Sequence, residues 1–211
     1  MLTRSLLHFA LLGEEWILYL LAGLSLASVT VILERLAYFA TRGGADFDGL
    51  AVSLLHGDLE EARSALARAK GMEGEVLRAA LDEATRGPEA VQDVIQSGIA
   101  RQRMRYERWL SFLGTLGNNA PFVGLLGTVL GIVRAFQDLA NAAPGQAGRG
   151  PQAVMAGISS ALVATAVGIF VALPAVVAFN GFQRWLKTVT GRTNTLGLAL
   201  LAHLRTGAEK V

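Results

Sequence analysis

The sequence predicts an all-α, polytopic membrane protein with three transmembrane helices and a helical cytoplasmic domain between the first and the second. Two observations predict this class. Hydrophobic residues make up 52% of the chain, and they are concentrated in three blocks, each longer than the ~20 residues that a helix needs to cross a bilayer. The charged residues lie mainly between and after these blocks, where apolar side chains recur at helical spacing. The second and third helices are predicted to be long and to extend into the cytoplasm.

The first block, residues 16–39, is predicted to be transmembrane helix 1. Trp16 and Tyr19 lie at one end and Tyr38 at the other, and such aromatic residues are typical of a membrane interface. Residues 1–15 are predicted to form an amphipathic segment on the periplasmic side. A cleaved signal peptide is the less favoured interpretation, because a glycine and two glutamates break the apolar run and no small-residue cleavage site follows.

Two adjacent charged residues, Glu34 and Arg35, lie near the far end of the first block. Charges inside a bilayer are costly and are usually paired or functional. Long charged side chains near a helix end can instead reach toward the lipid headgroups. We therefore interpret Glu34 and Arg35 as a boundary pair that extends toward headgroups, in preference to a buried functional pair.

Residues 40–108 are predicted to form the helical cytoplasmic domain, since their apolar residues are fewer and periodic. Helices are predicted over about 59–70 and about 73–86, and the second of these ends at a Gly-Pro pair. A third helix is predicted to start near Glu89. Because no Gly-Pro break separates it from the second apolar block, the sequence predicts one continuous helix from this domain into the membrane.

The second and third blocks, residues 109–136 and 153–182, are predicted to be transmembrane helices 2 and 3. Residues 137–152 form the predicted periplasmic loop between them. Pro121 is expected to kink helix 2, because proline removes a backbone hydrogen bond and crowds the preceding turn. The third block measures ~45 Å as a helix, so it should tilt or project, and helical spacing continues into the predicted cytoplasmic tail, residues 183–211.

The distribution of basic residues predicts the orientation. Residues 42–108 contain ten Lys and Arg residues and the tail contains five, whereas the 137–152 loop contains only Arg149. Short segments rich in Lys and Arg stay on the cytoplasmic side of a membrane. The middle segment and the tail are therefore predicted to be cytoplasmic, and the N-terminus and the loop periplasmic.

Two apolar segments repeat one pattern. LLGTVLGI (125–132) aligns without gaps on LVATAVGI (162–169), and a threonine, Thr128 or Thr165, lies near the middle of each. Small residues lie four before, three after and seven after each threonine, offsets that place them on one helical face. They are Gly124, Gly131 and Ala135 in the first segment, and Ala161, Gly168 and Ala172 in the second. The hydroxyls could bond to their own backbone within small-residue helix packing, but two matched threonines favour a shared polar lining.

The same blocks lack acidic residues. No Asp or Glu lies between Trp109 and Gln137, or between Ala153 and Gln183. A proton path needs groups that titrate, and hydroxyls titrate far too high to act alone. If this surface handles protons, the carboxylate must therefore come from another chain.

Enzyme motifs are absent from the sequence. It contains no Gly-x-Ser-x-Gly, His-Glu-x-x-His or phosphate-binding Gly-x-x-x-x-Gly-Lys segment, and no histidine lies inside the blocks to activate Ser159 or Ser160. We therefore expect a protein that is not an enzyme and has no cofactor or metal. A structural membrane scaffold without ion conduction is the alternative, in which the small-residue faces only pack helices.

Three segments resemble the MotA/TolQ/ExbB proton-channel family, in particular its TolQ and ExbB branches: APFVGLLGTVLGI (120–132), GISSALVATAVGI (157–169) and LPAVVAFN (173–180). The resemblance implies a homopentamer in the bacterial inner membrane, in which the second and third spans line a central pore. It also implies a single-span partner of the ExbD or TolR kind, which carries the proton-bearing Asp inside that pore. Proton passage would then drive an envelope-spanning protein of the TonB or TolA kind for transport or envelope maintenance.

The same resemblance assigns individual residues. Thr128 and Thr165 match the pore threonines of the family, and Asn180 matches an asparagine on the tail side. Ser160 lies in the proposed pore lining where TolQ and ExbB proteins commonly carry Glu, so more of the proton chemistry is expected to fall on the partner's Asp. Roles in helix packing and kinking are predicted for Pro121, Gly124, Gly131, Ala161, Gly168 and Pro174.

Overall fold

The computed structural model describes residues 15–42, 47–140 and 150–208, and within these ranges every regular element is a helix. The helices are α1 (Glu15–Thr41), α2 (Phe47–His56), α3 (Leu59–Arg68), α4 (Met72–Asp82), α5 (Pro88–Glu107), α6 (Leu110–Ala140) and α7 (Gly150–Ala208), with a short 3₁₀ helix, Ala84–Arg86, before α5. The predicted all-α class is confirmed.

Three of these helices are long and apolar enough to cross a membrane by length and composition: α1, α6 and α7. Helix α7 has 59 residues, which corresponds to ~89 Å. It therefore continues without interruption from the third apolar block through most of the predicted tail. The predicted loop is helical at both ends, since α6 continues to Ala140 and α7 starts at Gly150, and the rest of that loop lies outside the described residues. Almost all of the predicted N-terminal segment also lies outside them.

The predicted continuous helix from the middle domain into the second span is wrong. Helix α5 ends at Glu107, Arg108 has an extended backbone (φ −52°, ψ 131°) and Trp109 has a φ of 65° before α6 begins. The left-handed region disfavours L-residues by ~1–2 kcal/mol. Neither glycine nor proline marks this break, so the local sequence gave no signal for it.

The chain divides into two compact units. The first contains the described residues of 1–32 and 111–179, in which α6 and α7 run antiparallel with small residues in register. A β-carbon built on Gly114 would meet Phe179, one on Gly117 would meet Val176, and one on Gly157 would meet Ala135. These contacts follow the two helices over most of their shared length. Small residues thus let two apolar helices approach closely where water cannot drive their association.

The second unit contains the described residues of 33–110 and 180–211. Helix α4 is its most buried element, and most of its side chains are inaccessible, including Met72, Val76 and Leu77. A cluster of aromatic rings from three helices packs beside it. Phe39 of α1 lies 5.2 Å from the Tyr106 ring of α5 and 5.2 Å from the Phe182 ring of α7.

Arg35 points into this second unit. Its side chain is 3% exposed, whereas that of Glu34, its ion-pair partner, is 50% exposed. The Arg35 guanidinium also donates to the backbone oxygen of Arg105 at 3.2 Å and lies 4.6 Å from the centre of the Tyr38 ring. The interpretation of Arg35 as a side chain that extends toward headgroups is therefore wrong, because helix α5 lies beside it and supplies a carbonyl acceptor.

Candidate functional site

The two matched threonines meet in the first unit. Thr128 Oγ1 of α6 and Thr165 Oγ1 of α7 are 3.2 Å apart, within hydrogen-bonding distance. Thr128 is 6% exposed and Thr165 is half-buried. The repeated segments therefore present their hydroxyls to one another across the interface between two helices.

The hydrogen bonds of this pair have a direction. Thr128 Oγ1 also donates to the backbone oxygen of Leu125 at 2.7 Å. A hydroxyl has one proton to donate and two lone pairs, so Thr165 is the donor in the bond between the threonines. Both lone pairs of Thr165 Oγ1 then remain to accept a proton or a hydrogen bond, and Thr165 is the more accessible end of the pair.

Close backbone approach holds the pair together. A β-carbon on Gly124 would lie 2.6 Å from the Ala164 backbone oxygen and 3.2 Å from Gly168 Cα. Ala161 and Ala164 are fully buried, and Gly131 is also buried. Of the predicted packing residues, Gly124 and Gly168 contact each other beside the hydroxyls.

The geometry contains both the bond to the helix's own backbone and the contact between hydroxyls that the two interpretations of the threonines require. Thr128 bonds to a carbonyl of its own helix inside small-residue packing, as the simpler interpretation requires. It also contacts a second hydroxyl, from a segment 37 residues away in sequence. Backbone bonding alone does not account for that second contact.

The other predicted site residues do not join the pair. Ser160 is exposed on α7, five residues before Thr165. Two residues five apart point in directions that differ by about 140° around the helix axis. Asn180 is exposed and belongs to the second unit. The roles assigned to Ser160 and Asn180 stay predictions.

Helices α6 and α7 each contain an internal proline, Pro121 and Pro174, and both helices continue through them. Each proline lacks the N–H that would bond to the carbonyl four residues earlier, so Gly117 and Phe170 lose that partner. Pro121 is half-buried and Pro174 is exposed. The predicted kinks stay predictions.

Sequence reasoning missed a buried polar group in the second unit. Glu73 of α4 is 4% exposed, and its Oε2 atom has no hydrogen-bond partner among the described residues. Burial raises the pKa of its carboxyl, an effect opposed by its own backbone N–H and by the charge of Arg192. Glutamate side chains are ordinarily exposed, so the sequence carried no signal of this burial.

The sequence model of the MotA/TolQ/ExbB proton channel family matches residues 68–195, which include both threonines and most of α6 and α7. This match covers more than half of the chain. The protein therefore belongs to the MotA/TolQ/ExbB proton channel family, a family of membrane channel proteins rather than of enzymes.

Individual relatives place the chain near the TolQ and ExbB branches, as predicted. It is 40% identical to the Tol-Pal system protein TolQ of Pseudomonas aeruginosa over 111 residues, which are 51% of this chain and 45% of TolQ. It is 34% identical to the biopolymer transport protein ExbB of Xanthomonas campestris over 152 residues, 72% of this chain and 56% of ExbB. The aligned part of the chain thus spans about half the length of these relatives. Family and helices together indicate an inner-membrane protein.

Proposed function

We propose that this protein is the channel-forming subunit of an inner-membrane motor that converts proton-motive force into mechanical work. The observation that carries the proposal is the Thr128–Thr165 pair, whose hydroxyls meet at 3.2 Å on a face that contains no carboxylate of its own. The pair can relay or accept a hydrogen bond, but it cannot hold a titrating proton near neutral pH. Membership of a proton channel family supports the same function.

The titrating group belongs to a second protein. In the proposed complex, a single-span subunit of the ExbD or TolR kind places an Asp next to Thr165. A protonated Asp donates to the accessible lone pairs of Thr165 Oγ1, and an ionised Asp accepts the Thr165 proton if the hydroxyl rotates. Hydroxyls arranged in this way stabilise both the protonated and the ionised form of the carboxyl group inside an apolar pore.

This pore is proposed to lie at the centre of a homopentamer, and α6 and α7 of each copy line it. The N-terminus and the connection between α6 and α7 face the periplasm, and residues 40–108 and the tail face the cytoplasm, as the basic residues indicate. Ser160 is placed in the lining of this pore and supplies a hydroxyl rather than a carboxylate. The partner's Asp is then the main proton carrier.

Proton passage is proposed to rotate or displace the partner within the pore. This movement would energise an envelope-spanning protein of the TonB or TolA kind. The names of the relatives, a Tol-Pal system protein and biopolymer transport proteins, support this assignment. One charge that crosses 100 mV supplies ~2.3 kcal/mol, enough to bias such a movement.

A proton-flux assay tests this function. The chain and its single-span partner are reconstituted in liposomes that contain a pH-sensitive dye, and a potassium diffusion potential drives uptake. The Thr128→Val and Thr165→Val double variant should lose at least tenfold of the flux, while Thr128→Ser and Thr165→Ser keep most of it because they retain the hydroxyls. Unchanged flux through an assembled double valine complex contradicts the proposal.

A non-conducting scaffold is the second candidate, and one observation favours it. Gly124 and Gly168 pack backbone to backbone, which is sufficient reason for small residues on both helices. A scaffold would tolerate valine at both threonines without functional loss. The flux assay therefore separates the two functions.

A further inference from the structure

A groove of about 850 Å³ lies between α5 and α7 in the second unit. Its apolar lining includes Ile99 and Leu186, and its polar lining includes Arg103, Arg184, Lys187 and Asn194. The Thr128–Thr165 pair does not contribute to it, since that pair belongs to the first unit. The groove is thus a separate feature of the molecule.

The charge of this groove is positive. None of the residues that line it is acidic. Arg103 is paired with Glu107 of its own helix at 2.7 Å, whereas Arg184 and Lys187 are exposed and form no ion pair with any acidic residue that the structure describes. Two unpaired cations three residues apart on a helix lie on one face and repel each other. An anion between them would remove that repulsion.

The groove begins where the third apolar block ends. Arg184 and Lys187 follow residue 182 by two and five residues, or by ~3–8 Å along the helix. Two tryptophans lie near this level on the cytoplasmic ends of the predicted spans, Trp109 (52% exposed) and Trp185 (38% exposed). Exposed tryptophans are typical of the headgroup region of a membrane.

We propose that this groove binds the headgroup of an anionic phospholipid, of the phosphatidylglycerol class, from the cytoplasmic leaflet. Arg184 and Lys187 hold the phosphate, Arg103 lies on the opposite wall, and Ile99 and Leu186 contact the glycerol and upper acyl carbons. Basic pockets at the cytoplasmic ends of membrane helices bind such headgroups. The proposal rests on the membrane orientation given under the proposed function, but not on proton conduction.

Lipid titration of the purified full-length complex tests the site. Dioctanoyl phosphatidylglycerol or dioctanoyl phosphatidylcholine is added in detergent, and bound lipids are counted by native mass spectrometry. Each of Arg184→Gln and Lys187→Gln should weaken phosphatidylglycerol binding about fivefold, and the two together about 25-fold. Arg184→Lys should bind within about twofold of the native protein, because the charge remains.

Arg101→Gln is the matched control, because Arg101 is an exposed basic residue of α5 that does not line the groove. It should leave lipid binding unchanged. Equal phosphatidylglycerol binding by the native protein and the Arg184→Gln/Lys187→Gln variant would overturn the site. The site would also be overturned if the Arg184→Gln/Lys187→Gln variant dissociated into monomers but bound phosphatidylglycerol normally. The groove would then be a contact between copies of the chain. The Thr128→Val/Thr165→Val variant should bind lipid normally, so failure of the proton function is distinguishable from failure of this site.

Discussion

Gly124 and Gly168 pack so closely that a β-carbon on Gly168 would lie 3.0 Å from Gly124 Cα and 2.7 Å from the Ala120 backbone oxygen. A β-carbon is essentially never found less than 3.0 Å from a backbone atom, so these two positions fix the separation of α6 and α7. The same separation brings Thr128 Oγ1 within 3.2 Å of Thr165 Oγ1. The hydroxyl pair therefore depends on two glycines.

The first prediction concerns this contact. Gly168→Ala should lower the free energy of unfolding by about 1–3 kcal/mol, because the added methyl forces the two backbones apart. Gly181→Ala is the matched control on the same helix, since nothing lies within 4 Å of its β-carbon position. The control should be neutral or slightly stabilising because alanine favours helix. Thermal unfolding in detergent, followed by circular dichroism, measures both; equal melting temperatures would refute the account of this interface.

The second prediction concerns Arg35. Arg35→Met should destabilise the second unit by about 1–3 kcal/mol, because it removes a buried donor and leaves the Arg105 carbonyl in the last turn of α5 without this bond. Arg86→Met, which removes an exposed ion pair with Glu83, should change stability by less than about 1 kcal/mol. Denaturant unfolding compares the two variants. A loss of stability for Arg86→Met as large as that for Arg35→Met would contradict the role given to Arg35.

The third prediction concerns pH. Because burial raises the pKa of Glu73 in the folded state, the folded protein holds this proton more tightly than the unfolded chain does. The contribution of Glu73 to stability is therefore fully present below the pKa that this carboxyl has in the unfolded chain. That contribution is lost as pH rises through the pKa that it has in the folded protein. Glu73→Gln should stabilise the protein at pH 8, by about 1 kcal/mol, and should flatten the fall in melting temperature between pH 5 and pH 8.

Glu89→Gln, at an exposed position of α5, is the control for this experiment and should retain the native pH dependence. The charged and titratable groups that interact with Glu73 are Arg192 of α7 and Tyr106 of α5. Burial raises the pKa of Tyr106 above its ordinary value of about 10, so Tyr106 does not exchange a proton between pH 5 and pH 8. If Glu73→Gln left the pH dependence of the melting temperature unchanged, Glu73 would not be the group that causes the fall in stability.

The sequence predicted the long helices and the small-residue faces because both depend on local composition and periodicity. The alignment of LLGTVLGI on LVATAVGI also placed Thr128 and Thr165 on matched faces. The sequence did not predict that these faces meet in one chain, the break at Trp109 or the burial of Arg35 and Glu73. Each of these depends on which helices become neighbours, and no local pattern in the sequence encodes that.

We propose that Thr165, the accessible end of the hydroxyl pair, faces the carboxylate of the single-span partner. The chain contains no cysteine, so cysteine cross-linking to the single-span partner has no background from the chain itself. With copper phenanthroline as the oxidant, Thr165→Cys should form a disulfide with a cysteine placed one turn from the partner's Asp. Phe170→Cys, at a position that is exposed and lies about 140° around α7 from Thr165, should not. Cross-linking from Phe170→Cys without cross-linking from Thr165→Cys would contradict the claim.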